Sequence, residues 1–369
     1  MDWNRRVILA PLTKGGNLPF RRLCTDFGAE VTTSEMAYAR QVNRRSRPEL
    51  ALLRKHASES CFGVQLAAGK PEEAVKAGLR SVEAGAAFVD LNAGCPIHDV
   101  VRRGMGAALL KRAGALARIV EAMARELPVP VTVKIRSGWQ EEKVNAPEVA
   151  RLAEEAGAAA ISIHPRSRNQ RYSKAADWEL VRRLVEERTV PIIGNGDILT
   201  YFEAKRFQEQ SGCASVMLAR GVLIKPWLFR EIDSSQAVEP TALERVAIYR
   251  RLAVYMKEHF RDDDKGRERA MRFLPWHLGF FWRYRPLPEA EYGEASREHP
   301  LLQTRQPREQ GLDALERVLH DSRESVHQEI ARVLWDARDD DEAVEACEAL
   351  ELETPPSTNE GDEIATSYG

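Results

Sequence analysis

Eight short apolar runs, each closing on polar or small residues and most followed by a helix-like segment, constrain this chain more than any other feature. They are Val7 to Leu12, Val31 to Met36, Phe62 to Leu66, Phe88 to Asn92, Val131 to Ile135, Ala160 to His164, Pro191 to Gly194 and Ser215 to Ala219. Eight strand-then-helix units in succession are the pattern of a (β/α)8 TIM barrel, an α/β fold in which function collects at the C-terminal ends of the strands. An open doubly wound sheet is the structural alternative, but its G-x-G-x-x-G fingerprint is absent after the first run.

The run ends carry a consistent set of groups. The first closes on Ala10-Pro11-Leu12, the second on Ser34-Glu35-Met36, the third on Gln65, and the fourth on Asn92 and Cys95. The fifth gives Lys134 and Arg136, the sixth His164, Arg166 and Arg168, the seventh Gly194-Asn195-Gly196-Asp197, and the eighth Ala219-Arg220-Gly221. Taken singly, Lys134 can snorkel and His164 can be a satisfied core histidine. Amide, thiol, ammonium and imidazole groups at matching ends of successive strands point instead to one site.

Cys95 is the first candidate for chemistry. Gly94 permits a sharp turn, and Pro96 biases Cys95 toward an extended backbone, so the thiol is held where the strand ends. The seventh and eighth ends suit a phosphate: Gly194, Gly196 and Gly221 allow close backbone approach, and Arg220 can add a charge-assisted bond.

Composition sorts the rest of the chain. With 369 residues and 43% hydrophobic content, the sequence is long enough for a large soluble domain plus a smaller one. No stretch resembles a membrane span and the N-terminus lacks a signal-peptide pattern, so a cytoplasmic protein is expected. Cys24, Cys61, Cys95, Cys213 and Cys347 are odd in number and far apart, which fits neither a disulfide framework nor a metal site. From Asp336 onward, twelve acidic residues face the single Arg338, so the net charge of −2 leaves about +9 on the remainder. A basic body favours an anionic partner.

Three regions follow: a barrel over 1–236, a helical region over 240–335, and an acidic, disordered tail over 336–369. The helical region includes Arg267 to Trp276, in which Arg269 and Arg272 share a face if they lie on one helix, with Pro275 a site for a kink. Trp276, Phe280, Phe281, Trp282 and Tyr284 read more readily as core than as base-stacking residues. Residues 286–312 read as irregular, and one further helix is expected from about Leu315 to Trp335.

Leu91-Asn92-Ala93-Gly94-Cys95-Pro96, continuing through Arg103-Gly104-Met105-Gly106-Ala107-Ala108-Leu109-Leu110, resembles the active-site signature of the flavin-dependent dihydrouridine synthases. The resemblance runs from about Val7 to Tyr284. The phrases Gly15 to Arg22 and Leu223 to Phe229 bring it nearest the eukaryotic-type branch that acts on the tRNA variable loop.

The resemblance implies a tRNA-dihydrouridine synthase using FMN and NADPH, with tRNA or another structured RNA as partner; a monomer without a metal is expected beside it. Cys95 would be the proton donor to the uracil, a general acid and therefore a thiol that keeps its proton. Pro11, Leu12, Gln65, Lys134, His164, Asn195, Gly196, Asp197, Ala219, Arg220 and Gly221 would hold the cofactor. Asn92, Arg166 and Tyr172 would orient the base, and Arg269 and Arg272 would contact RNA phosphates. The chain departs from the family at Pro165, where glycine is usual and where proline removes an N–H, and at Leu12, where methionine is common. The competing readings are a flavin reductase of a free pyrimidine or enone, an aldolase-type barrel with Lys134 as Schiff-base nucleophile, and an RNA-binding protein without turnover.

Overall fold

The computed structural model describes residues 1–170, 172, 174–304, 311–350 and 352. All eight runs are strands: β1 (Ile8–Leu9), β2 (Val31–Thr33), β3 (Cys61–Ala67), β4 (Phe88–Ala93), β5 (Val131–Arg136), β6 (Ala160–His164), β7 (Ile192–Asn195) and β8 (Ser215–Leu218). Each pairs in parallel with its successor, and Ile8 and Leu9 of β1 pair with both β2 and β8, so the sheet closes on itself. The barrel is surrounded by α1 (Leu18–Asp26), α2 (Pro71–Glu83), α3 (Ala113–Glu126), α4 (Ala146–Glu155), α5 (Trp178–Glu187), α6 (Tyr201–Ser211) and the pair α7 (Arg220–Ile224) and α8 (Leu228–Ser234). Two short helices, Ala39–Asn43 and Arg47–Leu52, replace a single one between β2 and β3.

Strand periodicity explains what fills the barrel. Side chains alternate between faces, so every second residue points inward. Ile8, Val31, Cys61, Phe88, Ala160, Ile193 and Met217 form an apolar cluster with Trp3, whose ring meets Phe88 edge-on at 5.0 Å. Two and four residues further along the same inward series come Gln65, Asp90, Asn92, Thr132, Lys134 and His164, which are polar. The interior is therefore oily low in the barrel and polar at its mouth, with no change of register. Outward residues such as Leu9, Phe62, Val64, Val89 and Leu91 join the larger core against the helices.

Two small elements escaped the periodicity: strand Ala37–Tyr38, which pairs with Leu66 and Ala67 at the mouth end of β3, and a hairpin of Gly138–Gln140 with Lys143–Val144. They are too short to show a pattern of their own.

The second region comprises α9 (Ala242–Phe260), α10 (Asp264–Ala270), α11 (Leu274–Phe281), α12 (Ala314–Leu319), α13 (Glu324–Asp336) and α14 (Asp340–Glu348). Helix α9 opens with a reciprocal cap between Thr241 and Glu244. Three expectations are corrected. Arg269 and Arg272 do not share one helix: α10 stops at Ala270, and Pro275 sits in the first turn of α11, a position where its missing N–H costs nothing. Proline here starts a helix rather than kinking one. The helix expected from Leu315 to Trp335 is two, α12 and α13, broken at His320. Within 286–312, the described residues include short helical turns at Glu289–Tyr292, Ala295–Glu298 and Leu301–Gln303.

The acidic tail is likewise corrected over its first part. Asp339 caps α14, whose first-turn carboxylates suit the positive end of a helix, and Ala343 and Cys347 are buried as it packs on α9, α12 and α13. Residues 353–369 lie outside the described residues. No helix among the described residues is long and apolar enough to cross a membrane.

Candidate active site

A cleft of about 210 Å3 opens at the C-terminal ends of the strands. It gathers most of the residues expected there: Pro11, Leu12, Gln65, Asn92, Cys95, Lys134, His164, Tyr172, Asn195, Gly196, Asp197, Ala219 and Arg220. Four expected residues are elsewhere. Arg166 and Gly221 lie behind the lining, while Arg269 and Arg272 are exposed on the second region.

On one side a chain of buried amides positions the thiol. Thr132 Oγ1 donates to Asp90 Oδ1 at 2.6 Å, and Gln65 Nε2 donates to Asp90 Oδ2 at 2.7 Å. Asn92 Nδ2 then donates to Gln65 Oε1 at 2.7 Å, while Asn92 Oδ1 accepts the Cys95 N–H at 2.9 Å. Each amide is fixed at both ends, so the turn carrying Cys95 is tied to the barrel floor. The first duty of Asn92 is thus to hold that turn, and its carbonyl is occupied. Burial pushes the Cys95 thiol up from its ordinary value, against the opposing pull of the Ile97 N–H and of Arg136 and Lys134. The thiol keeps its proton at neutral pH.

The other side is crowded with cations. Arg166, fully buried, donates from Nη2 to both carboxylate oxygens of Asp197 at 2.8 and 2.6 Å, and from Nε to the Lys174 carbonyl at 2.9 Å. It also contacts His164 Nε2 at 3.1 Å. Arg166, expected to orient a base, stands here as a brace for Asp197 and His164 behind the cleft lining. Arg220 lies 3.5 Å from Asp197 and 3.7 Å over the Tyr172 ring. Lys134 Nζ donates to Asn195 Oδ1 at 3.1 Å.

Burial, followed by the neighbouring Arg136, lowers Lys134 to about 8, and burial brings Arg220 down to about 10. His164 is held well below its usual range by burial and by Arg136, so it stays neutral. Among the described residues, Asp197 is the carboxylate in the lining, and three cations line the cleft with it: Lys134, Arg136 and Arg220. Such an arrangement is short of negative charge and fits an anionic ligand.

The expected phosphate corner is partly reassigned. A Cβ on Gly221 would meet the Ile198 carbonyl oxygen at 2.2 Å, and one on Gly194 would meet the Trp178 ring at 2.2 Å, so both glycines serve internal packing. Gly196, with φ 137°, remains at the lining between His164 and Asp197. Pro165 sits in the turn after β6, its carbonyl accepting the Asp177 N–H at 3.0 Å.

Sequence reasoning missed Asp90 and the cleft placement of Trp276, and it named Arg136 at its strand end without giving it a role. Asp90 lies below the cleft and anchors the amide chain; its place in the inward series between Phe88 and Asn92 was the available signal. Arg136 lines the cleft and donates from Nε to the Gly94 carbonyl at 2.9 Å, bracing the Cys95 turn from the other side. Trp276, read as core, reaches the cleft from α11 beside Leu223, a placement with no local signal because it depends on docking of the second region. Among the described residues, no group of three or more His, Cys, Asp or Glu is placed to hold a metal ion.

The fold and cleft define a (β/α)8 barrel with a protonated thiol and an anion-seeking cluster at its mouth. The chain belongs to the dihydrouridine synthase (Dus) family, whose model matches residues 8–287. It is 40% identical over 321 residues to a human protein named tRNA-dihydrouridine(47) synthase [NAD(P)(+)]-like, a match covering 86% of this chain and 48% of that one. It is also 40% identical over 336 residues to the tRNA-dihydrouridine(47) synthase [NAD(P)(+)] of Cryptococcus neoformans, covering 86% of this chain and 46% of that one. The chain thus spans about half the length of these curated relatives. Among solved structures, histamine dehydrogenase from Rhizobium sp. 4-9 superposes with a TM-score of 0.50 at 13% identity, over 68% of this chain and 49% of that chain, a likeness of fold.

Proposed function

We propose that this chain is a tRNA-dihydrouridine synthase that reduces the C5–C6 double bond of a uridine, using FMN and NADPH, at position 47 as the names of its relatives suggest. One observation carries the reading: a proton-bearing thiol and a set of cations short of negative charge line the same cleft. The cation set, with the buried Lys134 and the Arg220 guanidinium, suits a phosphate-bearing cofactor that becomes anionic when reduced. Gln65, His164, Asn195, Gly196 and Ala219 would complete its seat. Bound there and reduced by NADPH, FMN would supply a hydride to C6 of the uracil.

The chain's own residues would do the rest. Cys95 gives its proton to C5, where negative charge develops, and the raised thiol pKa keeps that proton available at neutral pH. Asn92 and Arg136 fix the turn from which the proton leaves. Lys134 stabilises negative charge on the opposite side of the cleft from a fixed position. Tyr172, whose ring lies under Arg220, offers a face to the base. A uridine stacked in RNA is shielded and has to turn out into the barrel mouth, at a cost of about a few kcal/mol that phosphate contacts offset. Arg269 on the second region would supply one such contact; Arg272 would supply another only by exchanging its Glu268 partner.

Dihydrouridine mapped by position in tRNA and ribosomal RNA, from cells with and without the gene, tests the reading. Loss at tRNA position 47 is the expected result. Loss nowhere, with a purified protein that is yellow, would replace the RNA substrate by a small enone or pyrimidine; loss nowhere with a colourless protein would remove the flavin as well.

A further inference from the structure

Four arginines fall within eight residues of one another in the segment that follows the strand at the cleft end of the barrel. Arg40, Arg44, Arg45 and Arg47 follow the strand Ala37–Tyr38, which is paired to the last residues of β3 and so lies at the cleft end of the sheet. All four are exposed. None lies within ion-pair distance of a described carboxylate, and none donates a side-chain hydrogen bond among the described residues. Three arginines on the barrel's flanking helices are paired instead, Arg151 with Glu155, Arg182 with Glu179 and Glu186, and Arg183 with Glu187. The nearby Glu49 is engaged by the Tyr38 N–H at 2.7 Å, and Glu73 meets the turn through its backbone carbonyl, which accepts from Asn43.

The turn is joined to the chemistry. Tyr38 packs with Met36 and Cys95 on the small cluster of Ala67, Val100 and Met105, and the Arg103 guanidinium lies 5.4 Å from the Tyr38 ring. A chain of nucleotides lying across this turn would therefore run along the Cys95 rim of the cleft. In the second region, by contrast, Arg250 pairs with Asp340, Arg267 with Asp336 and Arg272 with Glu268.

We propose that the Arg40–Arg47 turn is an RNA-binding surface of the barrel, gripping the phosphate backbone on the Cys95 side of the cleft. The inference rests on the reading that the substrate is RNA. Phosphate contacts of this kind position the strand without reading its sequence, and each one releases counterions. Clustered, uncompensated guanidinium groups are suited to that task.

The test replaces Arg40, Arg44, Arg45 and Arg47 by alanine in the flavin-loaded full chain and measures binding of a tRNA transcript across a salt series. Affinity should fall at least tenfold at low salt, and the slope of log affinity against log salt should become shallower by about 0.7–0.9 for each phosphate no longer neutralised. Flavin content, flavin reduction by NADPH and thermal midpoint should be unchanged. The corresponding lysine variant should recover most of the affinity, because a point charge suffices for a phosphate. Unchanged affinity and slope would overturn the proposal, as would a loss of binding that tracks a loss of thermal stability. If the wild-type chain binds no tRNA and forms no dihydrouridine, the functional reading itself fails; if the wild type binds and the alanine variant binds equally well, only this surface is withdrawn.

Discussion

The two sides of the cleft use the same physical environment to opposite ends. The Cys95 side is a turn held by backbone and amide contacts against Val100, Met105 and Tyr38, and burial there favours the uncharged, proton-bearing thiol. The side formed by β5 to β8 brings Lys134 and Arg220 to the cleft beside the Arg166–Asp197 pair, and burial there disfavours the charged forms of Lys134 and Arg220, which an incoming anion would offset. Low dielectric alone sets neither outcome. What differs is the sign of the group being buried, and the comparison teaches that a donor of protons and a receptor for anions can be made from one cavity.

The comparison breaks most sharply at Cys95. Replacing it with alanine should lower the rate of uridine reduction about 10^2- to 10^4-fold while leaving flavin loading and flavin reduction by NADPH as they were. A rate within a few fold of wild type would remove the thiol from the reaction. On the opposite side, Asp197→Asn leaves the fully buried Arg166 without its carboxylate and should cost about 3–5 kcal/mol in denaturant unfolding. A loss below about 1 kcal/mol would mean that water reaches the pair.

Lys134 gives a pH signature. Its pKa is lowered from 10.5 to about 8 in the fold, so in the ligand-free protein the burial penalty is fully present below pH 8 and relieved as pH rises toward 10.5. In that window the unfolded chain holds more protons, and stability should rise with pH relative to a Lys134→Met variant. Paired urea midpoints at pH 8 and pH 10 would show it; an equal change in both proteins would contradict the lowered pKa. The smallest effect is expected for Leu12→Met at the lining, a volume-conserving change worth less than about 1.5 kcal/mol by thermal unfolding.

Much of this architecture was legible in the sequence because a barrel strand is a periodic object. All eight runs are strands, and the polar groups at their ends do converge. The periodicity could not tell a residue that faces the cleft from one that stands behind it. Arg166 lies two residues past the end of β6, where the alternation no longer binds, and it turned inward to Asp197. Gly221 looked like a phosphate cradle because a glycine's purpose is set by whatever approaches it, here the Ile198 carbonyl. The acidic run after Asp336 read as solvated because its charge outweighs Ala343 and Cys347, yet those two small residues suffice to seat α14. Trp276 was hidden for a different reason: its neighbours at the cleft are distant in sequence.

The grip between the two regions has a consequence for modular exchange. His277 of α11 meets Nδ2 of Asn17, the residue that caps α1, at 3.3 Å and stacks on Phe20 at 4.6 Å, while Tyr255 of α9 donates to Asp26 at the other end of α1. Trp227, after α7, touches both Phe27 and Tyr284, and one apolar core runs through both regions. The second region is therefore clamped to both ends of the barrel's first helix. A graft that swaps helical regions between relatives would have to carry α1 with it, and the hybrid's melting curve, single or split, would report whether that clamp had been transferred intact.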